Sequence, residues 1–113
     1  MTPSGFRRIA LGLTGVVEGA HQGHPDFRAG GRILASLGYP DKAWGMLVLT
    51  PDQQRSLVRT HPDGFVPVKG KWGEQGCTSV RLDAVDEEML GEALTLAWQH
   101  ASTKRPTRRS KKR

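Results

Sequence analysis

Residues 61–82 read HPDGFVPVKGKWGEQGCTSVRL, and this stretch decides the fold because two strand-like runs stand on either side of one glycine-rich segment. Residues 65–68 (FVPV) and 78–82 (TSVRL) are short runs with β-branched or aromatic residues, which are typical of strands. Between the two runs, residues 69–76 (KGKWGEQG) hold three glycines, two lysines and one tryptophan. The pattern predicts two strands paired through a glycine-rich connection.

The segment 69–76 has some features of a phosphate-binding loop. A P-loop requires G-x-x-x-x-G-K followed by serine or threonine, with a helix directly after it. Here Lys71 is followed by Trp72, and the next run has the pattern of a strand, so the P-loop interpretation is rejected. The three glycines instead supply the positive-φ and close-approach positions of a bulged or twisted hairpin. They predict a wing-like loop that carries Lys69, Lys71 and Trp72.

Two interpretations of this loop remain open. In the first, the loop contacts a nucleic-acid backbone, with the lysines at phosphates and Trp72 stacking on or wedging between bases. In the second, which is the more usual role of a tryptophan among glycines, Trp72 folds back over the end of the sheet and the lysines are solvated.

Upstream of this stretch, residues 50–53 (TPDQ) predict the start of a helix. Threonine caps, proline suits the first helical position, aspartate complements the helix dipole, and glutamine three residues on completes a capping box. The spacing places Leu57, Val58 and His61 on the inner face of this helix. Pro62 ends it, because the residue before a proline is pushed out of helical space.

The rest of the chain shows two further helical patterns and four further strand-like runs. Helical spacing of apolar residues predicts a helix over 3–13 and another over 86–101, and the latter has three acids in its first turn. Short runs with β-branched or aromatic residues, separated by turn residues, predict strands of an antiparallel meander. These runs are 16–21, 24–28, 32–37 and 44–49.

Three phrases of the sequence carry a family resemblance. HPDFRAGGRILASLGYPDKAWGMLVLTPDQQ (24–54), the stretch 61–82 and DEEMLGEALTLAWQHAS (86–102) closely resemble the MmcQ/YjbR family of small bacterial proteins, over about residues 5–101. The resemblance implies an α+β fold with two layers, an antiparallel sheet flanked by helices, described as a double-wing arrangement and likened to secretion chaperones. Family members are commonly labelled DNA-binding. The resemblance fixes no catalytic residue.

The net charge of +6 is concentrated at the C-terminus. Positions 1–103 hold ten basic and eleven acidic residues, a net charge of −1, so the predicted folded part is not basic. We expect a single domain over 1–102, followed over 103–113 by a disordered basic tail, because the tail has no apolar residue to bury. The tail is either a polyanion-binding arm or a solubilising terminus. Its seven basic residues are Lys104, Arg105, Arg108, Arg109, Lys111, Lys112 and Arg113.

Neither a metal site nor a catalytic site is predicted. His21, His24 and Asp26 form an H-x-x-H-x-D pattern, but His21 joins the other two only if the turn between the strands is tight, and no fourth ligand is evident. Cys77, the single cysteine, lies sixteen residues after His61, and sequence spacing alone does not assemble the two as a nucleophile and its base. We expect Cys77 to be a partly buried apolar side chain.

The sequence therefore supports two functional hypotheses. In the first, the protein binds DNA: the tail supplies sequence-independent attraction, and the wing-like loop, with Arg28, Arg32 and Arg81, supplies orientation. In the second, it is a protein-interaction module of chaperone-like kind. We expect no enzymatic activity, no cofactor and no membrane segment. The single cysteine fits a reducing, cytoplasmic setting, and we expect a monomer.

Overall fold

The computed structural model describes residues 1–39 and 41–103. Of the basic tail predicted over 103–113, Thr103 is the last residue of a helix, and residues 104–113 lie outside the described residues. Four α-helices, one 3-10 turn and six strands follow one another along this part of the chain. In order they are α1 (Pro3–Leu11), β1 (Val16–His21), β2 (His24–Ala29), β3 (Arg32–Leu37), β4 (Trp44–Val48), α2 (Pro51–Thr60), β5 (Phe65–Pro67), α3 (Lys71–Glu74), β6 (Cys77–Arg81), the 3-10 turn (Leu82–Ala84) and α4 (Glu87–Thr103).

The six strands form one sheet in the order β1-β2-β3-β4-β6-β5, and every neighbouring pair is antiparallel. Strands β1 to β4 are a meander, as the sequence predicted. The first turn of the meander is tight: Gln22 and Gly23 both have positive φ, 52° and 82°, as a two-residue hairpin turn requires. Strand β6 lies between β4 and β5, so its two neighbours come from different parts of the chain.

The helices α1, α2 and α4 cover one face of the sheet. The ring of Phe6 in α1 lies directly under β4, where a Cβ at Gly45 would come within 2.9 Å of it. Leu90 and Leu94 of α4 and Phe27 of β2 are fully buried in the same core. The predicted fold class, α+β with an antiparallel sheet flanked by helices, is confirmed.

The opposite face of the sheet is not covered by a helix within the described residues. Side chains alternate along β4 and β6, so Trp44, Met46 and Arg81 point away from the core and are half-buried or exposed. None of the helices in residues 1–39 and 41–103 is both long and apolar enough to cross a membrane.

The predicted helix over 50–61 begins as expected. Thr50 Oγ1 accepts from the backbone N–H of Gln53, and the Gln53 side chain accepts from the backbone N–H of Thr50, so the capping box is complete. The predicted bounds of β1 and β3 are reproduced, and the remaining boundaries agree or differ by one or two residues. Helix α1 ends at Leu11 instead of 13, because Gly12 already serves as its C-cap.

Candidate nucleic-acid interface

The segment 69–76 connects β5 to β6, and we call it the Trp72 turn. The two strands pair as predicted, with the N–H of Val68 donating to the carbonyl of Cys77 at 3.0 Å. The connection itself is not the predicted bulged or twisted loop. It is one turn of α-helix, Lys71–Glu74, that starts after Gly70 at φ 80° and ends before Gly76 at φ 112°.

Two glycines of the Trp72 turn are required by close approach of the backbone. A Cβ at Gly73 would lie 1.6 Å from the carbonyl oxygen of Val68, and a Cβ at Gly76 would lie 1.9 Å from the carbonyl oxygen of Leu49. Neither partner is the end of a flexible side chain. The turn is therefore packed directly onto the ends of β4 and β5, and this packing fixes where its outer side chains lie.

Gln54 in α2 is hydrogen-bonded through its side chain to the Trp72 turn, a role that was not predicted from the sequence. Its side chain is 7% exposed. The Nε2 group donates to the carbonyls of Gly73 at 2.9 Å and Cys77 at 3.0 Å, and lies 3.2 Å from Thr78 Oγ1. One buried amide thus joins α2, the turn and β6, so the turn is held in one position relative to the sheet.

The outer surface of the Trp72 turn carries an exposed aromatic ring and two lysines. Trp72 is 68% exposed, so the interpretation in which it folds back over the sheet is wrong. The inner side of the helical turn is occupied by Gly73, which packs against the backbone of Val68. Lys69 and Lys71 are exposed, and neither has a carboxylate partner among the described residues.

The three arginines predicted to accompany the loop lie on other strands and differ in availability. Arg28 is bound bidentately to buried Asp26, with Nε–Oδ1 2.9 Å and Nη2–Oδ2 3.1 Å. The hydrogen bond and charge of Asp26 raise the pKa of Arg28. Arg81 donates from Nε to Asp83 and lies over the Trp44 ring, 5.9 Å from its centroid. It occupies the end of β6 that is remote from the Trp72 turn.

Arg32, the third of these arginines, is exposed at the start of β3 and has no ion pair within the described part of the chain. It lies at the same end of the sheet as the Trp72 turn, because the antiparallel register brings the start of β3 beside the end of β4. Of the folded-part arginines predicted to contact nucleic acid, Arg32 is thus the one whose guanidinium is free and near the turn.

The H-x-x-H-x-D pattern does converge on one face of the sheet. His21 and His24 are directly paired across the tight turn, and Asp26 follows on the same face of β2. Both carboxylate oxygens of Asp26 are nevertheless taken by Arg28, and the His24 ring lies edge-on to Tyr39. No group of three or more His, Cys, Asp or Glu side chains within residues 1–39 and 41–103 could hold a metal ion.

Cys77 is a buried, free thiol at the start of β6, 8% exposed. Burial raises its pKa, which lowers the thiolate fraction at neutral pH. The ring of His61 packs against Phe65 instead, with centroids 6.1 Å apart. Neither observation gives Cys77 the lowered pKa of a catalytic nucleophile.

We expect Cys77 to react with iodoacetamide at pH 7 about 100-fold more slowly in the native protein than in urea-unfolded chain, because alkylation requires both opening of the fold and loss of the thiol proton. The rate is measured by mass spectrometry over time. Equal rates in the two states would contradict the burial of this side chain.

A shallow cleft of about 420 Å³ lies at the other end of β6, away from the Trp72 turn. Trp44, Val66 and Arg81 line it together with Asp63 and Asp83. Val66 is 42% exposed on the edge strand β5. The cleft combines apolar surface with charged side chains of both signs.

The chain is similar to one family of proteins and to solved structures. A family model described as YjbR matches residues 11–100. The crystal structure of the Deinococcus radiodurans protein DR2400, described by a DUF419 domain, matches with a TM-score of 0.74 and 21% sequence identity, and the match covers 91% of this chain and 80% of that one. At this identity the likeness shows the fold alone. No curated protein matches the chain.

Proposed function

The chain belongs to the YjbR family, as its sequence resemblance indicated, and on this premise we propose that it is a non-catalytic DNA-binding protein. The binding surface consists of Trp72, Lys69 and Lys71, and the basic residues of 104–113 add sequence-independent attraction. One observation carries the proposal: a tryptophan that is 68% exposed stands beside two unpaired lysines on a rigid turn.

The local charge supports this surface better than the total charge does. The folded part has a net charge of −1, but its acids are concentrated elsewhere. Glu87 at the start of α4 pairs with Arg8, and Glu18 of β1 pairs with Arg7. Glu74 is the one acid within the Trp72 turn, against two lysines. A phosphate backbone that approaches this turn therefore meets a local excess of positive charge.

The proposal is tested by fluorescence anisotropy of a labelled DNA duplex across a salt series, with the full chain and with a chain that ends at Thr103. If the seven tail charges and the two lysines of the turn all contact phosphates, the slope of log affinity against log salt should be about −8 for the full chain and about −2 for the chain that ends at Thr103. In the full chain, replacing Lys69 and Lys71 by glutamine should reduce the slope by about 2.

Lys42→Gln is the matched control, because Lys42 is an exposed lysine in the connection between β3 and β4, at the end of the sheet remote from the Trp72 turn. Lys42→Gln removes one positive charge, whereas the double variant removes two. It should leave the affinity for DNA and the slope of log affinity against log salt unchanged. Affinity that does not respond to salt in any of these proteins would refute the proposal.

A second candidate function, a protein-interaction module, is favoured by the cleft at Trp44 and Val66. The same titration separates the two candidates. If neither the full chain nor the shortened chain binds DNA at low salt, the cleft and the open face of the sheet become the surface to investigate, and the chaperone-like hypothesis replaces the first.

A further inference from the structure

Trp72 is exposed although the turn that carries it is packed and hydrogen-bonded to the rest of the fold. Gly73 and Gly76 pack against backbone carbonyls, and the amide of Gln54 holds the turn to α2 and β6. Exposure of the apolar tryptophan ring to water is unfavourable in free energy. Its flat face can contact a partner without any rearrangement of the turn. A partner with an exposed flat surface would gain most from this arrangement.

Continuous duplex DNA does not offer such a surface, because its bases are stacked on each other. Reading a duplex through the major groove requires a helix or ribbon that lies in it with basic or polar side chains. Helix α3 has four residues, which is about 6 Å and too short for this role.

The longer helices within the described residues do not supply a basic face either. In α1, Arg7 and Arg8 are paired with Glu18 and Glu87. In α2, Arg55 is paired with Asp52, and Arg59 is the one exposed arginine of this helix that has no ion pair within the described residues. Helix α4 contains neither lysine nor arginine over Glu87–Thr103. None of the helices in this part of the chain therefore offers a basic face to a duplex groove.

We infer that the partner of the Trp72 turn is single-stranded DNA, with one unstacked base on the Trp72 ring and the adjacent phosphates at Lys69 and Lys71. This inference rests on the proposed function. Stacking on an aromatic side chain is available to every base and requires that the base be free of its neighbours. The mode predicts little sequence preference, because the turn offers a ring and two charges and no set of groups that reads base edges.

The test compares a labelled oligodeoxythymidylate with a blunt hairpin duplex of equal phosphate count, titrated with the full chain. The variants are Trp72→Ala and Trp72→Phe, since phenylalanine retains a stacking face. We expect Trp72→Ala to weaken single-strand binding about 10- to 100-fold, Trp72→Phe to weaken it by less than about fivefold, and neither to change duplex binding. Because the ring is exposed, both variants should unfold in urea at the wild-type midpoint.

The outcomes separate the inference from the proposed function. If single strand and duplex bind equally and Trp72→Ala affects neither or both alike, stacking on an unpaired base is refuted, whereas DNA binding through charge stands. If neither ligand binds at low salt, the proposed function itself is refuted. Selective loss of single-strand binding in Trp72→Ala, restored in Trp72→Phe, supports both.

Discussion

Gly73→Ala is expected to lower the free energy of unfolding by about 3 kcal/mol or more, because a single added methyl group meets backbone and not a side chain. The Cβ would lie 1.6 Å from the carbonyl oxygen of Val68 and 2.7 Å from its carbon. Relief requires the turn and the end of β5 to separate, which would also displace the Gly73 carbonyl from the amide of Gln54. Urea unfolding followed by tryptophan fluorescence measures the loss.

Gly91→Ala is the matched control for this substitution. Gly91 is also in a helix, α4, and an added Cβ there has no neighbour within 4 Å. Alanine is the better helix former by about 0.5 to 1 kcal/mol, so this variant should be slightly more stable than wild type. If Gly73→Ala behaved like Gly91→Ala, the close approach at Val68 would not constrain the turn.

Gln54→Glu is expected to destabilise the protein by about 3 to 5 kcal/mol at neutral pH. The substitution replaces a buried amide donor by a carboxylate of the same shape. That carboxylate would face the carbonyls of Gly73 and Cys77 and the hydroxyl oxygen of Thr78. Burial and these acceptors both disfavour the charged form, so the native-state pKa of the new carboxyl group should rise.

The direction of the pH dependence follows from that raised pKa. Between the unfolded pKa of about 4.3 and the higher native value, the native state binds more protons than the unfolded state. The free energy of unfolding of Gln54→Glu should therefore be closest to that of wild type at acid pH. The deficit should grow as pH rises through this window and be constant above it. Urea unfolding at a series of pH values measures this difference.

Gln54→Leu provides the reference for the lost hydrogen bonds alone. It should cost about 1 to 2 kcal/mol at every pH, because the Gly73 and Cys77 carbonyls keep their other partners, the N–H groups of Gly76 and Val68. A Gln54→Glu variant whose deficit matched that of Gln54→Leu at all pH values would show that no charge is buried at this position.

The strands and the longer helices could be predicted because their signals are local. The capping box of Thr50 and Gln53 and the tight turn at Gln22-Gly23 depend on a few neighbouring residues. Three glycines in eight residues argue against a helix on propensity. Helix α3 forms nevertheless. Gly73 and Gly76 are required there because any side chain would collide with the backbone of Val68 or Leu49, and these contacts cannot be recognised from local sequence.

Gln54 was missed although a signal existed. It lies three residues before Leu57 and seven before His61, so helical spacing places it on the inner face of α2. Only the apolar residues of that face were considered. A polar side chain on a predicted buried face is the pattern that should have raised the question of its hydrogen-bond partners. The pairing of Arg28 with Asp26 also had a local signal, because residues two apart on a strand share a face. The pairing of Arg81 had none, because Asp83 lies beyond the end of β6, where the strand pattern no longer applies.

The position of β6 between β4 and β5 has a consequence for the order of folding. Strands β1 to β4 are neighbours in sequence and close short loops, so their pairing loses little chain entropy. Pairing Val48 with Cys77 requires closure of a loop that contains α2, β5 and α3, and β5 has no strand neighbour until β6 arrives. We therefore expect the meander to form early and the Trp72 turn to be assembled late. The proposed binding surface would then be present only in chains that have completed folding.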